Sequence, residues 1–515
     1  MNGNLLLLLA GILFSAIVIA ITIIANKTRH PKALVVLFFT EMWERFSFYG
    51  MKALLIAYMS KELLMKDEPC SHMYGVYMAL VYTFPIVGGY VADKYLGFRK
   101  TILLGGILMA IGHLVLALPS KETFFIGLGF LIGGNGFFKP NISSFLGKFY
   151  ETKKELRDEA YSIFYMGINV GALLGGLMCS YLGTTFGWHW GFGVAGILMI
   201  AGLIVFLINF PYLEDKGLSP IPEVLSKPVF SFITQEHLIY IGGFLAIPFF
   251  IWSVTNYEIT EAIFSYSFTI SILILLYQCY LYRGNGGRNL FVATILIAAS
   301  SLFWAFFEQG GGSLNFFAER NVDTMGLDYK MVNNNLNPFF VILLSPVFGF
   351  LWTYLERKHG EVSFSTRFAL GFIILGSGFY AFILGSKLAN AEGMVDMGWF
   401  ALGYLLISVG EMLVSPVGLS MVSKLSPPKI TGMVMGVWFL ASGFGHSLAG
   451  KIGAMMAIPE GDHGEMLGGF ERLAIYSDVF SKITWGCVIT GVVIWVFFYV
   501  KHIFLKAEKG EEVLN

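Results

Sequence analysis

The stretch ALVVLFFTEMWERFSFYGMKALLIAYM, residues 33–59, is apolar and long enough to cross a membrane as a helix, yet it contains charged side chains. These are Glu41, Glu44, Arg45 and Lys52. A charge near the centre of a membrane helix costs about 2.5 to 3.5 kcal/mol on insertion scales, so such charges indicate function. Glu41, Glu44 and Arg45 are spaced to share about a third of the helix circumference, so we expect that face to line a polar cavity.

The rest of the chain also has the composition of a protein embedded in lipid. Of its 515 residues 56% are hydrophobic and 13% charged, whereas soluble domains have roughly 25% charged residues. The formal net charge is zero, so no nucleic acid partner is expected. Fifteen apolar stretches without the alternation of barrel strands are predicted to be membrane helices. They cover residues 4–25, 33–59, 73–92, 100–118, 123–146, 160–183, 189–210, 237–255, 259–282, 289–312, 334–355, 366–388, 396–421, 431–457 and 475–503.

The distribution of basic residues predicts the orientation. One alternate set of loops contains 22 of the 34 Lys and Arg residues, and this set is expected in the cytoplasm. The C-terminus is therefore predicted to be cytoplasmic, and fifteen crossings place Met1 on the periplasmic side of an inner membrane. Stretch 4–25 has no basic flank and no cleavage site of small residues, so we predict a retained anchor helix instead of a signal peptide.

A charged, proline-rich segment, 211–235, divides the chain into similar halves. We predict an anchor helix with a cytoplasmic linker, a six-helix bundle, a linker with two inserted membrane helices, and a second six-helix bundle with a cytoplasmic tail. These regions cover residues 1–32, 33–210, 211–288 and 289–515. The four cysteines are scattered, so neither a disulfide framework nor a metal site is expected.

Three further charges are predicted to lie centrally, each on a different span: Lys139, Glu308 and Glu411. An ion pair that neutralises itself inside the bundle would explain one such group. It does not explain charges on four separate helices, so we expect a charged chamber between the halves. No nucleotide loop, metal cluster or nucleophile arrangement accompanies these charges, so an enzyme is not expected.

Several motifs, in sequence order, resemble those of the proton-dependent oligopeptide transporter family, a branch of the major facilitator superfamily. The segment EMWERFSFYG, 41–50, is similar to the family's ExxER motif, and GGYVADKYLGFRK, 88–100, resembles a superfamily loop. Other matching segments are GFFKPN (136–141), FYMGINVG (164–171), FWAFFEQ (303–309), NP (337–338), GEMLVSP (410–416) and WFL (438–440). The resemblance covers about residues 33–505. It implies an all-α major facilitator fold of two six-helix bundles with two inserted helices, as in bacterial members, whereas the N-terminal helix departs from the family pattern.

The resemblance also implies a proton-coupled symporter that imports di- and tripeptides by alternating access. A short peptide is a zwitterion, so a site for many peptides should hold the two termini and leave side chains to apolar pockets. Arg45 and Lys139 can hold the carboxylate, Glu411 the ammonium group, and Asn169 and Asn337 the backbone amide. The remaining residues assigned to the substrate are Tyr49, Tyr82, Trp304, Glu308, Ser415, Trp438 and Phe439. Ordinary helix packing is the alternative for the aromatic ones.

Proton coupling is assigned to Glu41, Glu44, Arg45 and Glu308. When a peptide carboxylate takes Arg45, Glu41 or Glu44 loses its partner and becomes easier to protonate. The two intramembrane histidines, His113 and His446, are predicted to be hydrogen-bonded packing residues. The proton gradient supplies the drive, so no cofactor is expected.

Two ion pairs are expected to act as gates that close in turn. By resemblance, Lys52 pairs with Glu308 on the outer side, and Lys139 pairs with Glu411 on the inner side. A lysine that reaches the membrane interface is the alternative for Lys52. Asp93 is expected to contact cationic groups or helix N-termini of the facing half and to stabilise the outward-facing state.

Two other functions stay open on the sequence alone. One is a receptor or scaffold, although a charged chamber has no evident use there. The other is a proton-coupled carrier of nitrate or of an amino-acid-like metabolite, against which Glu411 favours a substrate with an amine. The expected partners are a di- or tripeptide, protons and the lipid bilayer, and a monomer is the expected functional unit.

Overall fold

The computed structural model describes residues 2–26, 28–230, 233–282, 284–360, 362–459 and 467–508. Met1 and the end of the predicted cytoplasmic tail, 509–515, lie outside the described residues. The α-helices are α1 (Gly3–Asn26), α2 (Lys32–Lys61), α3 (Asp67–Thr83), α4 (Pro85–Val91), α5 (Gly97–Leu116), α6 (Lys121–Lys148), α7 (Arg157–Phe186), α8 (Trp188–Ile208), α9 (Pro222–Leu225), α10 (Gln235–Leu245), α11 (Ile247–Thr255), α12 (Tyr257–Tyr282), α13 (Gly284–Phe307), α14 (Leu314–Asn321), α15 (Tyr329–His359), α16 (Phe364–Lys387), α17 (Met397–Val414), α18 (Gly418–Leu425), α19 (Thr431–Ala454) and α20 (Gly469–Glu508).

Short elements connect some of these helices. They are a π-helical turn, Ala92–Leu96, and the 3-10 segments Lys154–Leu156, Phe210–Leu213, Glu308–Gly310 and Ser415–Val417. Strands β1 (Pro228–Phe230) and β2 (Ile233–Thr234) pair antiparallel, and β3 (Val322–Asp323) pairs in parallel with β4 (Val395–Asp396).

Twelve helical stretches of the described residues are long and apolar enough to cross a bilayer. One of them, Asp67–Leu116, contains two crossings, because the chain turns at Gly97, whose φ of 74° suits glycine. Helices α2 and α6 complete the set, although the charges of α2 and the glycines and Lys139 of α6 lower their hydropathy. The prediction of an all-α membrane protein is therefore confirmed, and the described helices can be matched to the fifteen predicted stretches.

Prolines divide three of the predicted spans. Helix α4 begins at Pro85, α11 begins one residue before Pro248, and α17 ends two residues before Pro416. Proline has no N–H to donate and disfavours helical geometry in the residue before it. A fourth span, predicted to extend to residue 312, stops at Phe307 and places Glu308 in a 3-10 turn.

Glycines bring the charged segment of α2 close to α7 in the first half. A Cβ atom at Gly171 would overlap the carbonyl oxygen of Met42, and one at Gly175 would overlap that of Phe46. Small residues allow membrane helices to approach to backbone contact. The segment 41–45 is consequently held rigidly against its neighbour.

The halves meet along two seams. In the first, α3 packs against α19, and a Cβ at Gly75 would lie 2.7 Å from Cα of Gly450. The inserted helix α12 contacts both of these helices. Its Glu261 accepts a hydrogen bond of 2.7 Å from His72 of α3 and lies 3.6 Å from Lys451 of α19.

The second seam lies between α7 and α15, and the additional N-terminal helix α1 covers it. Leu8 of α1 belongs to a buried apolar cluster with residues of α2, α7 and α15. The rings of Phe14 and Phe339 are 5.7 Å apart, and Asn4 accepts a 2.8 Å hydrogen bond from the backbone N–H of Asp328. Helix α1 thus contacts both halves, and each seam is covered by a helix outside the two bundles.

Candidate functional site

The three charges of α2 form one buried cluster. Arg45 donates from Nη2 to Oε1 of Glu44 at 2.7 Å, and its Nε lies 3.2 Å from Oε1 of Glu41. At most 2% of each of these residues is exposed. Asn135 of α6 also donates to Glu44, at 3.4 Å, whereas Oε2 of Glu41 has no hydrogen-bond partner among the described residues. The guanidinium is shared between two carboxylates, so it can be taken from one of them by a competing anion.

Lys139 extends the charged cluster along α6. Its Nζ lies 3.7 Å from the ring centroid of Tyr82, a cation–π contact. Its charge also interacts with those of Arg45, Glu44 and Glu41. Among the described residues Lys139 makes no ion pair with Glu411, so the predicted inner gate is not formed in this structure.

Lys52 and Glu308 join the two halves. Nζ of Lys52 lies 2.5 Å from Oε1 of Glu308, and Tyr74 of α3 donates to the same oxygen. Both charged side chains are largely buried, with 11% and 4% exposed. The structure therefore brings together the two residues that were expected to pair, and Lys52 is not at the interface with lipid headgroups.

Further ion pairs tie the halves at the same end of the molecule. Arg320 of α14 donates to both carboxylate oxygens of Asp67 at the start of α3, at 2.5 and 2.8 Å. Lys61 at the end of α2 pairs with Glu319. These ion pairs close this end of the molecule.

Asp93, in the π-helical turn on the other side of the molecule, is exposed and makes no ion pair among the described residues.

Glu411 and Asn337 lie on facing helices of the second half. The side-chain amide of Asn337 donates to Oε2 of Glu411 at 2.9 Å and to Oγ of Ser408 at 3.0 Å. Glu411 is partly exposed, and Ser415 begins the 3-10 segment one turn further on. The acid expected to hold an ammonium group is consequently oriented by an amide and has no cationic partner among the described residues.

The remaining predicted residues have different surroundings. The side-chain amide of Asn169 donates to the carbonyl of Tyr165, four residues earlier on α7, at 2.9 Å. Trp438 packs against Gly418, and Phe439 packs on the edge of the main apolar core. Tyr49 lies beside Lys52 with 5.7 Å between Nζ and its ring centroid.

The charges of the two halves converge on one compartment. Nζ of Lys139 lies over the ring of Tyr82, and the same ring stacks on His446 of the second half, whose Nε2 lies 3.7 Å from Oε2 of Glu308. Tyr49 and Lys52 of the first half line one cavity together with Glu308 and Asn337 of the second. The charged residues thus face a common compartment between the halves, and they do not form separate ion pairs in different parts of the protein.

Several residues of this compartment were not predicted, and His446 is the most notable. It does hydrogen-bond within its helix, as expected of a packing residue, but its Nε2 also lies 3.7 Å from Oε2 of Glu308. Phe439 and His446 are seven residues apart and share one face of α19, a spacing that could have revealed the histidine. Asn135, four residues before Lys139, was detectable in the same way.

The comparisons with known proteins agree with this geometry. Residues 99–466 match the POT family (PTR2). Dipeptide and tripeptide permease A of Erwinia pyrifoliae is 31% identical over 475 residues, covering 91% of this chain and 93% of the permease. The permease A of Escherichia coli K12 is 31% identical over 467 residues, covering 89% of this chain and 90% of its own length.

Solved structures show the same architecture. A bacterial homologue of the human drug peptide transporters PepT1 and PepT2 superimposes with a TM-score of 0.78 at 26% identity, over 91% of this chain and 98% of the homologue. The predicted major facilitator fold, with two inserted helices and an extra N-terminal helix, is confirmed. By the match of its sequence and by its fold, the chain belongs to the POT family.

Proposed function

We propose that the protein is a proton-coupled symporter that imports di- and tripeptides across the inner membrane by alternating access. The observation that carries this proposal is the convergence of charges from both halves around Tyr82, which contacts Lys139 of the first half and stacks on His446 of the second, beside Glu308. Binding sites of membrane transporters lie between structural repeats near the middle of the bilayer. The permeases to which the chain is similar are named for dipeptides and tripeptides.

The arrangement of charges suits a zwitterion. Arg45 and Lys139 lie on the side of the first half, and Glu411 lies on the side of the second. A peptide that spans the compartment can place its carboxylate near the two cations and its ammonium group near Glu411. The acid disfavours nitrate and other simple anions, because it would repel them.

Competition for Arg45 provides a coupling mechanism. In this structure its guanidinium is hydrogen-bonded to Glu44 and lies close to Glu41. A peptide carboxylate that binds Arg45 deprives one of these acids of its cation, and a buried carboxylate without a cation gains a proton more readily. Peptide and proton then cross together, with an electrical drive of about 2.3 kcal/mol per charge for each 100 mV of membrane potential.

The gates give a direction to this cycle. The end closed by Lys52–Glu308 and Asp67–Arg320 is the periplasmic end if the C-terminus is cytoplasmic, as the basic loops predict. Pairing of Lys139 with Glu411 would close the opposite end in the outward-facing state. The two gates lie on either side of the same compartment. A single chain contains both gates, so a monomer can carry out the cycle.

Reconstitution tests the proposal directly. Purified protein in liposomes should accumulate labelled dialanine when an inward proton gradient is imposed and should only equilibrate it without one. Equal uptake under both conditions would argue against proton coupling. If dialanine does not enter under either condition, peptide import itself is wrong.

A further inference from the structure

His446 of α19 is in contact with aromatic rings of both halves. Its imidazole stacks on Tyr82 of α3, with 4.1 Å between the centroids and 17° between the planes. It is also nearly parallel to Trp304 of α13, at 6.3 Å and 16°. Only 1% of the residue is exposed. The ring is therefore placed at the junction that must rearrange when the halves move.

The backbone around His446 is held tightly. A Cβ at Gly445 would lie 2.5 Å from the carbonyl oxygen of Ser301 on α13, and one at Gly75 would lie 3.0 Å from the carbonyl oxygen of His446 itself. Helix α19 thus approaches both α13 and α3 to backbone contact. This close packing determines which group each ring nitrogen faces.

The hydrogen bonds determine the tautomer of the neutral ring. Nδ1 lies 2.7 Å from the carbonyl oxygen of Ser442, and a carbonyl can only accept, so Nδ1 carries the hydrogen. Nε2 then has a lone pair, and it has no hydrogen-bond partner among the described residues. Oε2 of Glu308 lies 3.7 Å from this nitrogen. Without a proton, Nε2 and the carboxylate of Glu308 are both acceptors and cannot hydrogen-bond. A proton on Nε2 would allow a charge-assisted hydrogen bond between them.

Three charged groups act on the imidazole, and Tyr82 is the titratable group stacked on it. Oε2 of Glu308 lies 3.7 Å from Nε2 and favours a positive charge on the ring, whereas Lys52, bound to the same carboxylate, and Lys139, which lies over the stacked Tyr82, oppose it. Lys52 also occupies the other oxygen of Glu308. The charge that His446 can bear therefore depends on whether Lys52 is at Glu308 or has left it.

We propose that His446 carries a proton during the transport cycle, bound at Nε2 and paired with Glu308 while Lys52 is withdrawn from that carboxylate. The inference deepens the proposed function and rests on it.

Opening of the closed end separates Lys52 from Glu308, because the two residues belong to different halves. The carboxylate then lacks its lysine, and water admitted from the periplasm can deliver a proton to Nε2. When this end closes, Lys52 returns to Oε1 of Glu308, and its positive charge displaces the proton from the imidazole into the water of the opposite cavity. Proton uptake and release are thereby linked to the same gate.

His113 shows what a histidine in a packing role looks like in this chain. It is fully buried on α5, and neither ring nitrogen has a hydrogen-bond partner among the described residues. In the part of the chain that the structure describes, no charged group interacts with His113. His446 is buried to the same degree but faces three charges, and this difference makes His113 a matched control.

The variants His446→Phe and His113→Phe separate the two roles. Phenylalanine keeps an aromatic ring next to Tyr82 but cannot bind a proton. In liposomes, dialanine uptake driven by an inward proton gradient is compared with counterflow in the absence of a gradient. We expect the ratio of gradient-driven uptake to counterflow to fall about tenfold or more in H446F. The ratio in H113F should equal that of the wild type.

An unchanged ratio in H446F would overturn the role of His446 while leaving proton-coupled transport intact. Absence of gradient-driven uptake in the wild type would instead overturn the proposed function.

A second measurement does not require H446F to fold. Histidine side-chain nitrogen signals of the wild type, of K52M and of H113F are followed by NMR between about pH 5 and pH 8. Loss of Lys52 removes a charge that opposes protonation, so one histidine signal should titrate at higher pH in K52M, and it should not be the signal that H113F lacks. Identical titrations in wild type and K52M would contradict the inference.

Discussion

Nζ of Lys52 and Oε1 of Glu308 lie 2.5 Å apart although 256 positions separate the two residues in the sequence. Each belongs to a different half, so the pair exists only while the halves are closed at this end. Removing one partner of a buried ion pair leaves an uncompensated charge, which typically costs about 3 to 5 kcal/mol. The contact is consequently a gate with a large effect on the balance between states.

Charge reversal at this gate should abolish uptake, and exchange of the two charges should restore part of it. Lys52→Glu and Glu308→Lys each place two like charges at the junction, whereas the double variant recreates an ion pair. The measurement is gradient-driven dialanine uptake. Lys482→Glu is the control, because its pair with Asp478 lies within α20, both side chains are more than half exposed, and such pairs contribute only about 0 to 1 kcal/mol. A double variant no better than the singles would refute a direct pairing role.

Replacement of Glu44 by Gln should uncouple transport from the proton gradient. The amide keeps the size of the side chain but removes its charge, so Arg45 no longer has two carboxylates to share. We expect gradient-driven uptake to fall at least about tenfold further than counterflow. Glu122→Gln, an exposed carboxylate at the start of α6, is the control. Concentrative uptake by E44Q would show that the coupling acid is another residue.

Glu411 should determine how strongly the protein distinguishes peptides with a free amino terminus. Loss of a hydrogen bond to a charged group typically weakens binding by about 1.5 to 3 kcal/mol, so Glu411→Gln should bind dialanine roughly tenfold or more weakly. N-acetyl-dialanine has no ammonium group, and its affinity should change by less than about threefold. Competition against labelled dialanine measures both constants. Equal losses for the two ligands would place the ammonium group elsewhere.

The glycines of α7 should be indispensable for packing against α2. Gly175→Ala adds a Cβ that overlaps the carbonyl of Phe46, and overpacking of this kind typically destabilises by about 1 to 3 kcal/mol. The thermal unfolding temperature in detergent should therefore fall. Gly242→Ala is the matched control, since no atom lies within 4 Å of the added Cβ and alanine favours a helix. A similar change for both variants would mean that helix propensity, not packing, sets the effect.

The sequence predicted the charged residues better than it predicted their partners. Glu41, Glu44 and Arg45 form a cluster as their spacing on one helix indicates, because that spacing is local. The expected pair of Lys139 with Glu411 is not formed in this structure, in which Lys139 lies over Tyr82, and the pair stays a prediction for the outward-facing state. Lys139, Glu411 and Tyr82 lie on three different helices. Which of them are in contact therefore depends on how the two halves are packed against each other.

The breaks in the helices were missed for a related reason. A hydropathy pattern locates an apolar span but does not show that the chain changes to a 3-10 turn at Glu308 or at Ser415. The role of α1 was likewise not visible from its sequence, since a uniformly apolar helix does not reveal which neighbours it contacts. Only the fold places it against α7 and α15.

The sequence by itself determined that the chain is an all-α membrane protein, and it predicted that certain charges meet in a common polar space, because lipid tolerates neither unpaired backbone groups nor isolated ions. Tertiary structure alone decided that Tyr74 joins the pair of Lys52 and Glu308, that Lys139 lies over Tyr82, and that His446 joins the site. The cost of burying a charge in lipid depends on the residue and its helix, so the sequence shows it. Which partner that charge contacts depends on how the two bundles are oriented relative to each other.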